Sequence, residues 1–385
     1  MNKTERSLKI LSLTIIFFWA SEYAHVPYYA PYLSTLGFTA TMIGIVTGIY
    51  GFTQLIVRIP MGIITDMKSS YKATILIGTG FTTLSSFGLI FAKSVPSILF
   101  FRMLAGIAAS TWLAFSVLYN AYYKESEAVT AMTNVNAFNN AGKLLAFFLG
   151  LITAKLYGYR MPLVCSFITG LIALILALNL KPIQLKRESF KIEHITSVIT
   201  NPAIIVASLF GIILQGYTQA TVFSFTSAVA KNLGASALEI GITTLLYTSI
   251  QVISAPYLAK RILNRISTAL SLFLGFALLS LSALIVAISI DVKTIYISEL
   301  LAGIGNLILV SMLMAIIVSH TPQEKQSTAM GFYQAIYGLG MASGPVMVGS
   351  IVQQSGFKTA YLTVSLISLL SALLSYVLAI RYVKK

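Results

Sequence analysis

Charged residues are scarce in this chain, and most of those present carry one sign. Only 10% of the 385 residues are Asp, Glu, Lys or Arg, with 26 basic against 11 acidic, whereas a soluble domain carries roughly 25%. That deficit excludes an ordinary soluble globular protein. Cysteine occurs once, as Cys165, so neither an intrachain disulfide nor a cysteine metal cluster can form. The three histidines, His25, His194 and His320, are far apart in the sequence, which leaves no paired-histidine metal motif. A phosphate loop is missing as well. Around Gly142-Lys143, the position of the leading glycine holds Ala137, and Leu144 stands where Ser or Thr is needed, so this motif does not bind nucleotide.

Apolar sequence fills the gap left by charge. The chain is 57% hydrophobic with a mean hydropathy of +0.86, and it reads as an integral membrane protein. A spanning helix needs about 20 mainly apolar residues, and such runs are predicted at 8–33, 40–66, 72–93, 95–123, 127–156, 159–181, 201–230, 236–260, 265–290, 292–319, 326–354 and 357–382. The first is too long and too rich in Tyr and Pro for a cleaved signal peptide, so it is expected to remain as a span. The polar stretch at 182–200 separates six runs from six. It is read as a cytoplasmic linker between an N-terminal bundle, 1–181, and a C-terminal bundle, 201–385. Eighteen of the 26 basic residues fall on one predicted side and six on the other, leaving Arg102 and Lys143 in the membrane. This bias places both termini in the cytoplasm of a cell-membrane protein. It also accounts for the net charge of +15 without a nucleic-acid partner.

The chain repeats itself. Arg102-x-Leu104-Ala105-Gly106 recurs as Glu299-x-Leu301-Ala302-Gly303, at 299 − 102 = 197 residues. Leu36-Gly37 with Ile43-Gly44-Ile45 recurs as Leu233-Gly234 with Ile240-Gly241-Ile242 at the same offset, and Gly142 recurs as Gly340 one residue out of step. A duplicated membrane half points to a transporter that rocks two bundles about a site near the midplane.

Three motifs carry a family resemblance. Between the second and third runs, Arg58-Ile59-Pro60-Met61-Gly62-Ile63-Ile64-Thr65-Asp66-Met67-Lys68, followed by Lys72, resembles the Gly-x-x-x-Asp cytoplasmic loop of the major facilitator superfamily. In the fourth run, Arg102-x-x-x-Gly106 resembles that family's membrane-embedded arginine motif. In the eleventh, Gly340-x-x-x-Gly344-Pro345-x-x-x-Gly349 is similar to a glycine-proline motif that family exporters carry on the fifth helix. The resemblance implies an all-α membrane protein with twelve transmembrane helices in two pseudo-symmetric six-helix bundles. It further implies that the first, fourth, seventh and tenth helices line a central cavity. Charge pairs around Arg58, Asp66, Lys68 and Lys72 form and break between conformations. Gly62, Gly106, Gly340 and Gly344 permit close helix approach, and Pro345 removes a backbone donor.

Ionisable residues at membrane depth are functional candidates by default. Glu22, His25, Arg102 and Glu299 form the expected proton-coupling set. A buried carboxylate gains or loses a proton as a cation moves, and histidine titrates near neutrality. Lys143 is a candidate for an anionic substrate or for pairing with Glu22 or Glu299. Polar and aromatic candidates for substrate contact are Tyr23, Tyr119, Asn136, Asn140, Gln215, Gln219, Tyr247, Gln251, Asn306, Tyr333, Gln334 and Tyr337. The expected activity is proton-coupled secondary transport of a small organic solute by a monomer, leaning to efflux, with no cofactor or metal and a proton gradient as the energy source. An importer of an organic anion, or a flippase for an anionic lipid, is the alternative.

Overall fold

The computed structural model describes residues 3–67, 70–123, 128–181, 200–257, 266–322 and 325–383. Lys68 and residues 182–199 of the expected linker lie outside them, as does the side chain of Asp66. The described chain is helical throughout its ordered elements and contains no strand. Among the described residues, eleven helical stretches are long and apolar enough to cross a membrane. The last, Thr328–Tyr382, has 55 residues, about 80 Å of helix against a hydrocarbon core of about 30 Å. Gly356 divides it, with φ at +81° inside an otherwise helical run. Two spans therefore occupy this stretch, making twelve, and the chain between them turns on a residue type that tolerates the left-handed region. Across Pro345 the backbone stays helical.

The structure writes the repeat in backbone and packing. The left-handed glycines pair up: Gly37 with Gly234 at 234 − 37 = 197, and Gly158 with Gly356 at 356 − 158 = 198. The fourth span begins at the N-cap Ser94, whose hydroxyl accepts from the Ser97 amide, and the tenth begins at the N-cap Asp291, whose carboxylate accepts from Thr294. These caps are again 197 apart, and each satisfies an orphan donor of a helix start. Third and fourth spans are joined where Ser85 donates to the Phe101 carbonyl at 2.7 Å. Ninth and tenth spans are joined at the equivalent residues, Ser282 and Ser298, with hydroxyls 2.8 Å apart.

Contacts divide the chain into two compact units, Met1–Tyr32 with Thr53–Phe190 and Leu33–Phe52 with Lys191–Lys385. In the first unit, the first span packs on the fifth and sixth, and the third on the fourth and sixth. In the second, the seventh packs on the long eleventh-and-twelfth run and the ninth on the tenth. Residues 33–52 join the second unit because a Cβ on Gly44, Gly48 or Gly51 would meet Pro345, Ala342 or Met341. Small residues also set the crossings within each unit. A Cβ on Gly142 of the fifth span would meet the Ile16 carbonyl of the first. One on Gly340 of the eleventh would meet the Ile212 carbonyl of the seventh. Such backbone-on-backbone approach is how helices pack without a hydrophobic driving force. Large apolar side chains such as Ile56, Ile175, Ile253 and Val377 point outward, as a lipid-facing surface requires.

Candidate functional site

Breaks in the helices mark the chemically distinctive regions. The first span is two helices, Lys3–Tyr23 and Val26–Thr35, separated by a turn at Ala24 and His25, and Pro27 beyond it supplies no amide donor. The seventh span loses regular α-helix at the same repeat position: Pro202–Ala220 passes into a π-helical turn at Thr221–Phe225 before Thr226–Asn232. Ala24 plus 197 is Thr221. Single π-turns inside helices frequently sit at functional sites.

In the first unit, the break carries Glu22 and His25, both buried. Thr82 donates to Glu22 Oε1 at 2.5 Å, and the Thr82 hydroxyl lies 3.2 Å from Ser21 Oγ. Ser21 in turn donates to the Ser166 carbonyl at 2.7 Å. The Ser166 hydroxyl is 3.0 Å from His25 Nδ1, and on the other edge of the ring Arg102 Nη1 lies 3.4 Å from His25 Nε2. Arg102, itself 6% exposed, also sits over the Tyr29 ring at 5.6 Å. A guanidinium only donates, so His25 Nε2 accepts, the imidazole is neutral and its proton lies on Nδ1, toward Ser166. The structure thus brings Glu22, His25 and Arg102 of the expected set into one buried polar cluster, with hydroxyls from the first, third and sixth spans.

Lys143 stands in the middle of the fifth span, next to the Gly142 crossing. Its ammonium lies 5.6 Å from the Trp19 ring centroid and 5.1 Å from that of Tyr23, and no carboxylate of the described residues pairs with it. Trp112 meets Trp19 edge-on at 5.2 Å, and Phe147 meets Tyr23 in the same way at 6.0 Å. The indole Nε1 of Trp19 is buried with no hydrogen-bond partner. Cation–π attraction supplies about 0.5–2 kcal/mol, while a lysine at a helix centre in the membrane costs about 3 kcal/mol on insertion scales. The aromatic faces alone leave that charge undercompensated.

Glu299 belongs to the second unit. It is 2% exposed and its Oε2 has no hydrogen-bond partner. Around it are Thr226, Tyr217, Tyr247 and Tyr361. Thr226 Oγ1 and the Tyr361 hydroxyl are 2.9 Å apart, and Tyr217 donates to Ser282 at 2.9 Å. The register holds here also. Arg102 and Tyr29 meet in the first unit, and their repeat equivalents, Glu299 and Thr226, meet in the second.

The remaining candidates scatter. Tyr23, Gln219, Tyr247, Asn306 and Tyr333 are buried; Asn140, Gln215, Gln251, Gln334 and Tyr337 are half-buried; Asn136 is exposed. Asn306 donates to Thr218 at 3.0 Å, and Tyr119 stacks on Tyr123 with hydroxyls 3.4 Å apart. Among the switch candidates, Arg58 donates to Gln54 on its own helix and Lys72 donates to the Leu178 carbonyl at the end of the sixth span, 3.0 Å away. Gly62 faces Leu113, Gly106 is buried, and Gly344 lies against Gly216. Ser21, Thr82, Ser166, Trp19, Thr226 and Tyr361 escape a search for charges because each looks ordinary in an apolar helix. Only the 197-residue register, which carries Tyr29 onto Thr226, offered a signal.

A family model described as the Major Facilitator Superfamily matches residues 11–227 and 209–385. An uncharacterized MFS-type transporter of Methanocaldococcus jannaschii is 21% identical over 98% of this chain and 99% of its own. One from Mycobacterium tuberculosis is 24% identical over 86% and 82%. Among solved structures, a bacterial homologue of the human lysosomal transporter Spinster superposes with a TM-score of 0.81 at 13% identity, covering 100% of this chain and 99% of that one. The nucleoside transporter NupG gives 0.78 at 16% identity, covering 98% and 100%.

Proposed function

The chain belongs to the Major Facilitator Superfamily, and we propose that it moves a small organic solute outward across the cytoplasmic membrane by alternating access, in exchange for protons. Its two bundles are residues 1–181 and 201–385, joined by a cytoplasmic linker at 182–200, with both termini in the cytoplasm. The observation that carries this reading is the buried polar cluster in which Glu22 accepts from Thr82, Ser21 beside Thr82 donates to the Ser166 carbonyl, and the Ser166 hydroxyl meets His25, whose far nitrogen accepts from Arg102. A proton at His25 Nε2 takes the place that the guanidinium now fills, so protonation and the present Arg102 position exclude each other. Glu22 is the second acceptor, in the same buried cluster. Loading a proton is thereby tied to displacement of a buried cation, and such a displacement biases two packed arrangements of the fourth span. At about 2.3 kcal/mol per charge per 100 mV, one proton sustains a solute ratio on the order of fifty.

The test is transport by purified protein in proteoliposomes over a compound panel, with and without an imposed pH gradient. Uphill movement should require the gradient, and Glu22→Gln should abolish it while leaving solute exchange intact. Uphill transport indifferent to the gradient overturns proton coupling. Uphill transport that survives Glu22→Gln makes Glu22 a structural residue.

A further inference from the structure

We propose that Lys143 and Trp19 form an anion subsite, and that the transported solute carries a carboxylate on an aromatic or otherwise flat apolar body. This rests on the transport reading above, and names the class of solute rather than the direction of its movement. Two donors of this region lack an acceptor among the described residues. Lys143 Nζ lies over the rings of Trp19 and Tyr23, 5.6 and 5.1 Å from their centroids, and no carboxylate among the described residues pairs with it. Trp19, 7% exposed, has its indole N–H buried with no partner. An ammonium and an indole N–H are both donors only, so the group that satisfies them must accept, and for the ammonium it must also carry negative charge.

The nearby acid is engaged elsewhere. Glu22 is on the same helix but takes its hydrogen bond from Thr82 of the third span. The setting is also held in place. Gly142, the residue before Lys143, packs on the first span so closely that a Cβ there would fall 2.5 Å from the Ile16 carbonyl oxygen and 2.9 Å from Trp19 Cβ. The fifth span therefore cannot draw back from Trp19 without losing its crossing. Trp112 stands edge-on to Trp19, and the fully buried Phe147 backs Tyr23. Flat apolar surface beside a positive charge fits an aromatic carboxylate better than a compact inorganic anion, which would leave the rings unused.

Binding is measured on the detergent-solubilised protein without any pH gradient, following tryptophan fluorescence at neutral pH. The probes are benzoate, indole-3-acetate and 2-naphthoate, each paired with its neutral amide, and inorganic phosphate. At least one carboxylate should bind ten-fold or more tighter than its amide and than phosphate. Lys143→Met should erase that ratio while Lys143→Arg keeps it. Trp19→Phe, read by Trp112 fluorescence, should weaken the carboxylate several-fold and leave the amide unchanged. Equal binding of acid and amide in the unmodified protein, absence of carboxylate binding at millimolar concentration, phosphate binding as tightly as every carboxylate, or a preference that survives Lys143→Met in a cooperatively melting protein, each overturns the subsite. Because no gradient is applied, loss of proton coupling leaves this result untouched, and failure here leaves proton coupling standing.

Discussion

Alanine at Gly142 and at Gly340 tests whether the duplicated crossings hold the two bundles in shape. A Cβ at Gly142 falls 2.5 Å from the Ile16 carbonyl oxygen and 2.9 Å from Trp19 Cβ; one at Gly340 falls 2.7 Å from the Ile212 carbonyl carbon and 2.9 Å from the Gly216 nitrogen. Ordinary carbon contacts lie at about 3.5–4.0 Å, so each methyl overlaps its neighbours by well over half an ångström. The neighbours are backbone, not the free end of a flexible side chain, so relief requires the helices to part. Overpacking of this kind costs about 1–3 kcal/mol, and backbone resistance puts both sites near the upper end. With no shared partners the two effects should add, to about 6 kcal/mol in the double variant. Gly80 supplies the control: its Cβ would meet nothing within 4 Å, and alanine there should be neutral or gain up to about 1 kcal/mol of helix propensity. At about 2–4 °C per kcal/mol, thermal melts in detergent followed by tryptophan fluorescence should place each single crossing variant roughly 5–10 °C below Gly80→Ala. A Gly340→Ala protein that melts with Gly80→Ala would refute the argument that backbone contact at this glycine defines the crossing.

Three further outcomes follow from local geometry. Gly356→Ala, at φ +81° and ψ 170°, should lose about 1–3 kcal/mol of stability because that backbone region is essentially confined to glycine, and Gly356→Asn should lose no less; equal melting of all three proteins would count against this backbone conformation. Ser94→Ala and Asp291→Ala remove equivalent N-caps and should each cost about 0.5–2 kcal/mol, with Asp291→Ser largely sparing the fold in the same melt. Thr82→Val deletes the hydroxyl that donates to Glu22. It should destabilise by about 1–3 kcal/mol and Thr82→Ser should not, whereas identical melts for the pair would mean that this hydrogen bond is not made in the folded protein.

Much of the architecture could be read from the sequence because bilayer thickness imposes a length on every span. Twelve apolar runs emerge with ends within a few residues of the helices, and even the hidden boundary at Gly356 falls between the predicted runs 326–354 and 357–382. The internal breaks were not readable. Nothing in Thr221-Val222-Phe223-Ser224-Phe225 announces a π-turn, since its apolar pattern serves an α-helix equally well, and the bend at His25 has Pro27 as its only local sign. The charged candidates were found because charge at membrane depth is rare. Their partners were missed because Thr82, Ser166 and Trp19 become informative only when folding brings them to Glu22, His25 and Lys143. Arg58 and Lys72 illustrate a related limit: the loop motif names them, yet their contacts, with Gln54 and with the Leu178 carbonyl, depend on helix ends that no motif specifies.

The duplication separates scaffold from specialised chemistry. Positions that recur with their contacts intact, Ser94 and Asp291 at the caps, Ser85 and Ser282 at a crossing, Gly37 and Gly234 at a turn, maintain the backbone that both units share. At other positions the repeat keeps the place and changes the chemistry. Arg102 becomes Glu299, Glu22 becomes Gln219 and His25 becomes Val222 at the common offset, while Lys143, following the one-residue slip of Gly142 and Gly340, becomes Met341. The first unit therefore concentrates the histidine, the arginine and the lysine, and the second retains one carboxylate with an unpartnered oxygen. Val222 and Met341 at the matching places mean that the second unit is built without a histidine or a lysine there. Charges that cost energy in a membrane and are absent from the matching places of the other copy are the ones proposed above to serve transport.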